Sequence, residues 1–275
     1  MEHVAKERIK DELTKVFKQG DPFGFVALLD ESRLLTLLFP ALAATKFVHQ
    51  PIRFHPFDVY THTLLALFEL QKINQDYLVR FGMLYHDVGK VVQFEAYHDD
   101  LSKDEIRSIL AGPLNHRRSS QGLVKTDFAD LGFSNKEIDD VVWYVENHHK
   151  LEEILAGEQP DRIKKKLRKF LSEAGLEKVE NIIDITIADR LGQYNPLQNS
   201  RDLAEVYMIR KMLKKIHDEE GQFTSKDLCV DGNDLIQEFK LPPSKIIGEL
   251  LQQSLDRVLN DIKNRNNKEE IFNYL

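Results

Sequence analysis

Histidine and aspartate stand in this chain where neither is ordinary. His86 and Asp87 are adjacent in Tyr85-His86-Asp87-Val88-Gly89-Lys90, at the end of an apolar run. Neighbouring side chains on a helix point about 100° apart, but at a fraying terminus they can converge on one ion, and Gly89 permits the backbone to turn there. His62 sits in the apolar stretch Tyr60-Thr61-His62-Thr63-Leu64-Leu65. A ring in such a place must be hydrogen-bonded or bound to something. Asp189 closes the run Ile182-Ile183-Asp184-Ile185-Thr186-Ile187-Ala188, and a buried carboxylate is costly unless paired or metal-bound. Between them lie His116, in Asn115-His116-Arg117-Arg118, and His148-His149, in Glu146-Asn147-His148-His149-Lys150.

Imidazole and carboxylate together suit Mn, Fe, Co, Ni or Zn, with Mg also open. His62, His86, Asp87 and Asp189 supply a ligand set that leaves room for water or a phosphate oxygen. His116 and His148 add a second ion or a phosphate contact. Such an ion lowers the pKa of water and offsets charge on a phosphoryl group. Taken singly, His62 reads as a hydrogen-bonded core residue and Asp189 as a helix-end partner of Arg190. The functional reading rests on the ordered set, each member on its own helix.

The elements that must position these residues are helical. Apolar residues recur at helical spacing over 4–18, and Asp21-Pro22 opens a second run. Residues 33–44, broken by Pro40, predict a buried helix pair, and Gln50–Phe57, with Pro51 and Pro56, an irregular segment. Helices are expected at Asp58–Ile73, Asp76–His86, 104–111, 115–125 and Asn135–Asn147, the last capped by Ser134. Further helices are expected over 161–172, Leu176–Asp189, 201–217, Asp227–Phe239 and Ser244 to about Arg265. No alternating run argues for a sheet, so the expected fold is all-α. His3, His49, His98 and His217 read as surface residues.

Composition narrows the functions. The chain has 275 residues, 42% hydrophobic and 30% charged, and a formal net charge of −7. That fits a folded domain and excludes a general coater of nucleic acid, which needs a basic field. One local basic run, Arg162-Ile163-Lys164-Lys165-Lys166-Leu167-Arg168-Lys169, leaves RNA contact open. No apolar stretch is long enough to cross a membrane, and the charged start lacks a signal peptide's apolar core, so a cytoplasmic protein is expected. The single Cys229 allows neither an internal disulfide nor a CxxC motif.

The ordered set resembles the HD superfamily of metal-dependent phosphohydrolases, whose pattern is a His, a His-Asp pair and a distant Asp, matched by His62, His86-Asp87 and Asp189. The resemblance implies that Asp87 bridges two ions when two are present, with His116 and His148 as further ligands and His149 a substitute for His148. It implies that Lys90 faces a substrate phosphate. Phe54-His55-Pro56-Phe57-Asp58-Val59-Tyr60-Thr61-His62-Thr63-Leu64 is similar to the HD segment of bacterial tRNA nucleotidyltransferases, the CCA-adding and poly(A) polymerase family. Residues 5–43 resemble that family's helical neck, and 227–259 its C-terminal body and tail. The family's nucleotidyltransferase head carries a Gly-Ser and an Asp-x-Asp, and this sequence has neither. Nucleotide addition by this chain alone is therefore not expected.

The resulting expectation is an HD-domain helical bundle: a helical neck at 1–50, a metal-binding domain at 51–200 and a helical C-terminal extension at 201–275. Its function is hydrolysis of a nucleotide or RNA-end phosphoester, as phosphohydrolase or phosphodiesterase, with one or two divalent ions. His62, His86, Asp87, His116, His148 and Asp189 hold metal. Asp87 and Lys90 are catalytic, with Asp87 able to accept the attacking water's proton. Lys90, Arg117 and His149 bind substrate. The alternative is an RNA-binding module, for tRNA or another RNA, or a partner of a separate nucleotidyltransferase chain, without catalysis of its own.

Overall fold

The computed structural model describes residues 5–48, 56–95, 102, 104–105, 115–156, 159–194 and 196–275, with backbone alone at 94–95 and 196–202. The helices run in chain order α1 (Lys6–Gln19), α2 (Pro22–Glu31), α3 (Leu35–Leu38), α4 (Pro40–Ala43), α5 (Val59–Ile73), α6 (Tyr77–Tyr85), α7 (Lys90–Glu95), α8 (His116–Asp130) and α9 (Asn135–Asn147). They continue as α10 (Lys150–Leu155), α11 (Pro160–Ala174), α12 (Leu176–Gly192), α13 (Pro196–Glu220), α14 (Gly232–Phe239), α15 (Lys245–Val258), α16 (Ile262–Arg265) and α17 (Lys268–Tyr274). No strand occurs among the described residues, and the fold is all-α.

Two compact units result: Met1–Leu151 with Asn181–Val206, and Glu152–Glu180 with Tyr207–Leu275. Residues 5–48 are part of the first unit, because α1 and α2 bury their apolar faces on α6 and α5. Residues 152–180 group with the C-terminal half, through ion pairs that join α11 to α13 and α15.

In the first unit Phe17 of α1 stacks on Phe81 of α6 at 3.9 Å between ring centroids. Phe128 of α8 meets Phe81 and Tyr85 edge-on. Arg80 is buried within this core. Its Nε donates to the Asn74 carbonyl, its Nη1 to Phe17 and its Nη2 to Gln71. One guanidinium thus satisfies carbonyls at the C-terminal ends of α1 and α5, where the helix dipole favours positive charge. Asn181 of α12 donates to the Tyr144 hydroxyl of α9 and accepts from Asn74. That polar chain fixes α12 against α5 and α9.

The second unit has its own core of Leu228, Val230, Leu255, Val258, Leu259 and Ile271. Here the expected single helix from Ser244 to Arg265 is broken at its end. The Asn260 side chain donates to the Asp256 and Arg257 carbonyls, and Asp261 caps a new turn at Asn264. Both residues offer local hydrogen bonds that compete with helix continuation. The helix expected from Asp227 starts only at Gly232, because Asp231 caps it by accepting from Asn233 and Asp234.

Residues 33–44 form two four-residue helices that are less buried than expected, with Leu34 and Leu37 exposed. His217 lies within α13 and is half-buried. The helix expected at 104–111 falls mostly, and segment 50–55 and the surface readings of His3, His49 and His98 entirely, outside the described residues.

Candidate metal centre

All of the histidines and aspartates singled out as ligands lie in the first unit, and their side chains meet at helix ends. His62 lies on the first turn of α5, which Asp58 caps by accepting from Thr61. His86 is the C-terminal cap of α6, and Asp87 follows in the turn that leads to α7. His116 opens α8, His148 caps the C-terminus of α9, and Asp189 stands one turn from the end of α12.

Asp87 is the hub, and its two oxygens face different partners. Oδ2 is 3.3 Å from His86 Nε2 and 3.9 Å from His62 Nε2. Oδ1 is 3.6 Å from His116 Nε2 and 4.0 Å from His148 Nε2. Asp189 Oδ1 joins the first set, 2.9 Å from His62 Nε2 and 3.5 Å from His86 Nε2. Two donor groups therefore share one carboxylate: His62, His86 and Asp87 on one side, Asp87, His116, His148 and His149 on the other.

The backbone aims the rings. His86 Nδ1 lies 2.7 Å from the Met83 carbonyl, and His148 Nδ1 lies 2.6 Å from the Val145 carbonyl. A ring that donates its Nδ1–H to a carbonyl presents Nε2 to the cluster, the usual arrangement of a metal-ligating histidine. The Nε2 atoms of His116 and His148 and Oδ1 of Asp87 are buried without a hydrogen bond among the described residues. Buried polar atoms need partners. A divalent ion suits these orphaned donors, which are imidazole nitrogen and carboxylate oxygen.

The two sides differ electrostatically. Burial opposes charge on Asp87, yet the Lys90 ammonium and the His86 ring hold its carboxyl well below the usual range. Asp189 is likewise held down against burial by hydrogen bonds from His62 and His86. Burial would depress His86, but Asp87 and Asp189 push it up to about 10. This side demands positive charge, from a proton or from an ion. On the other side burial pushes His116 down to about 4, and burial and then His149 hold His148 well below its ordinary value. Those imidazoles are neutral and ready to ligate.

Of the remaining candidates, Lys90 and His149 lie beside this hub. Lys90 Nζ lies 2.5 Å from Asp87 Oδ2, so its ammonium serves the hub carboxylate. The His149 ring lies 3.9 Å from that of His148 and 5.5 Å from that of His116. Arg117 follows His116 on the first turn of α8, half-buried, with its backbone N–H capped by Asn115.

Gly89 is required for a reason the sequence did not suggest. It does not adopt the left-handed backbone region. A Cβ at Gly89 would instead lie 2.1 Å from the His116 carbonyl oxygen and 2.5 Å from Ser120 N. The turn after Asp87 presses directly on α8. Ser120, fully buried, rivets the contact, its Oγ accepting from Gly89 N at 2.8 Å and donating to the His86 carbonyl at 3.2 Å. Sequence reasoning missed Ser120, since a lone serine in a helix carries no signal of its own.

Part of the basic run on α11 is paired with acidic groups of its own unit. Arg168 pairs with Glu220 through Nε and Nη2, and its Nη1 donates to the Asn260 carbonyl. Lys164 lies 3.6 Å from Glu220, and Lys169 pairs with Asp256. These pairs occupy three of the six basic residues in the run.

Comparison with known proteins fits this organisation. Residues 1–46 match the family described as "Probable RNA and SrmB-binding site of polymerase A". Residues 124–275 match the family described as tRNA nucleotidyltransferase domain 2. The chain is 34% identical over 93 residues to the Multifunctional CCA protein of Shewanella denitrificans, covering 34% of this chain and 22% of that protein. It is 33% identical over 88 residues to the Multifunctional CCA protein of Thioalkalivibrio sulfidiphilus, covering 32% of this chain and 22% of that one. The match therefore spans about a fifth of the length of these curated relatives. The second family model includes His148, His149 and Asp189 and extends over more than half of the sequence, and the chain belongs to the tRNA nucleotidyltransferase domain 2 family.

Proposed function

We propose that the chain is an HD-type, metal-dependent phosphohydrolase or phosphodiesterase that acts on a nucleotide or an RNA-end phosphoester. The observation that carries this reading is the division of Asp87, one oxygen toward His62 and His86 and the other toward His116 and His148. His62, His86, Asp87 and Asp189 would hold one divalent ion. Asp87, His116 and His148 would hold a second, with His149 beside them. An ion so held acts as a Lewis acid, activating water for attack and offsetting charge on the phosphoryl group.

The protein's own groups do the rest. The buried carboxylates and rings exclude bulk water, which strengthens every charge interaction with a bound phosphate. Asp87 accepts the proton of the attacking water. Lys90 and Arg117 supply positive charge for the phosphate oxygens, Arg117 with a planar fork suited to two of them. His149 contacts the substrate from the α9–α10 turn. Cytoplasmic location and the segment boundaries at 50 and 200 belong to the same reading. No described helix is long and apolar enough to cross a membrane.

A second reading has its own support. The match of residues 1–46 to an RNA-binding family favours contact with tRNA or another RNA through α1 to α4. The chain would then deliver an RNA end to the metal centre, or serve a separate nucleotidyltransferase chain without turnover of its own. Phosphate release from a panel of nucleotides and RNA ends, with each of Mg, Mn, Fe, Co, Ni and Zn, separates the two. The hydrolase reading expects turnover that disappears in the His86→Ala, Asp87→Ala double variant. Absence of turnover across the panel, with tRNA binding retained, favours the binding module.

A further inference from the structure

We infer that Gly192 and Gly82 are positioning residues, each setting one half of the metal centre through a helix crossing too close for a side chain. This rests on the metal reading above and goes beyond it, since neither glycine contacts the cluster. A Cβ on Gly192 would lie 2.7 Å from Ala66 N and 2.9 Å from both Ala66 Cα and Cβ. A Cβ on Gly82 would lie 2.7 Å from Tyr144 Cβ. Neither glycine has a left-handed backbone, so conformation does not demand it. Gly82 lies inside α6, where glycine is the poorest choice after proline, and Gly192 is the last residue of α12. Close approach is what remains.

The register of the two crossings matches the register of the ligands. Gly192 on α12 is three residues after Asp189, and Ala66 on α5 is four after His62. One helical turn from the α5–α12 crossing, His62 Nε2 and Asp189 Oδ1 stand 2.9 Å apart. Gly82 on α6 is four residues before His86, and Tyr144 on α9 is four before His148. One turn from the α6–α9 crossing, the rings of His86 and His148 stand 5.3 Å apart. Neither neighbour can give way by rotating a flexible tip. Ala66 presents backbone, and Tyr144 is held through its hydroxyl by Asn181. An added methyl must move a whole helix, by a few tenths of an ångström. Metal ligand distances tolerate about 0.2 Å. The Gly192 crossing therefore governs the His62 and Asp189 side, and the Gly82 crossing governs the distance from His86-Asp87 to His148.

The test is titration of the full chain with Mn²⁺ and Co²⁺ alone, by calorimetry and by the Co²⁺ absorption spectrum. His62→Ala and His148→Ala assign each binding event to its side. Gly192→Ala is expected to weaken the event lost in His62→Ala at least tenfold, leaving the other within threefold. Gly82→Ala is expected to do the converse. Gly122→Ala, on an exposed face of α8 with nothing within 4 Å of the added Cβ, leaves both unchanged. If Gly192→Ala does not fold, Gly192→Ala with Ala66→Gly, which removes the Cβ-to-Cβ contact, is expected to show a smaller loss in the same event. Should the chain hold one ion, only one of the two glycine variants loses it. Unchanged affinities overturn the inference. So do equal losses in both events that track the melting temperature in EDTA, which indicate a general packing role. Absence of any binding by the unaltered chain overturns the metal reading itself, and this inference with it.

Discussion

Asp87 concentrates the chemistry of the centre at a single side chain. Its buried carboxylate is shared by rings from α5, α6, α8 and α9, and the charge balance differs on its two faces. This makes the metal-free protein's stability depend on pH in two directions. His86, raised to about 10, contributes stability that is full below its unfolded value near 6.5 and is lost as pH rises toward 10. His116, lowered to about 4, contributes stability that is full above 6.5 and is lost as pH falls toward 4. The melting temperature in EDTA is therefore expected to peak between pH 6 and 7. A curve that rises steadily from pH 6 to 9 would contradict the assignment of a proton to His86. Metal must displace that proton, so apparent affinity is expected to rise by up to about tenfold per pH unit above neutrality. Calorimetry in buffers of different ionisation enthalpy would count the proton released.

Helices bring these residues together only because their ends are capped and their crossings are close. Asp58, Asn115 and Ser134 start three of the helices involved, and all of them act as caps. The Ser134 cap was legible in the sequence, as were the helices that carry the ligands, while Asp58 read as a helical residue and is instead the cap. Crossing distances were not legible. Gly89 reads from sequence as a turn residue, while its structural need comes from the His116 carbonyl, 27 positions away in the chain. Nothing local in a sequence reports such an approach. Two consequences follow for this contact. Ser120→Ala leaves the Gly89 N–H buried without its acceptor and is expected to cost about 1–3 kcal/mol, read from the denaturant midpoint. Gly89→Ala forces α8 away and is expected to weaken metal binding on the His116 side more than on the His62 side.

At the scale of the whole molecule, a net charge of −7 sets the terms for any RNA partner. The one concentrated basic run is drawn into ion pairs with Glu220 and Asp256. Its periodicity announced an amphipathic helix, but its acidic partners lie dozens of residues away, beyond the reach of pattern reading. Arg168→Ala is accordingly expected to lower stability by about 1.5–3 kcal/mol, because it removes charged hydrogen bonds from a mostly buried pair. Its effect on tRNA affinity is expected to be small, under about threefold at 0.1 M salt. A loss of more than tenfold with unchanged stability would make the run a direct RNA contact. The all-α class was readable in advance, and so was the set of histidines and aspartates that the fold brings together. The grouping of residues 152–180 with the C-terminal half was not, because it depends on those distant ion pairs.

The most direct test of the account is the number of ions held by Asp87. The chain is purified, stripped, reconstituted with Mn²⁺ or Co²⁺ and analysed for bound metal, alongside His62→Ala, His148→Ala and Asp87→Asn. Two equivalents are expected for the unaltered chain, one for each histidine variant and none for Asp87→Asn, with helicity retained in all. No metal in the unaltered chain, or an ion still bound at full affinity after Asp87→Asn, would contradict it.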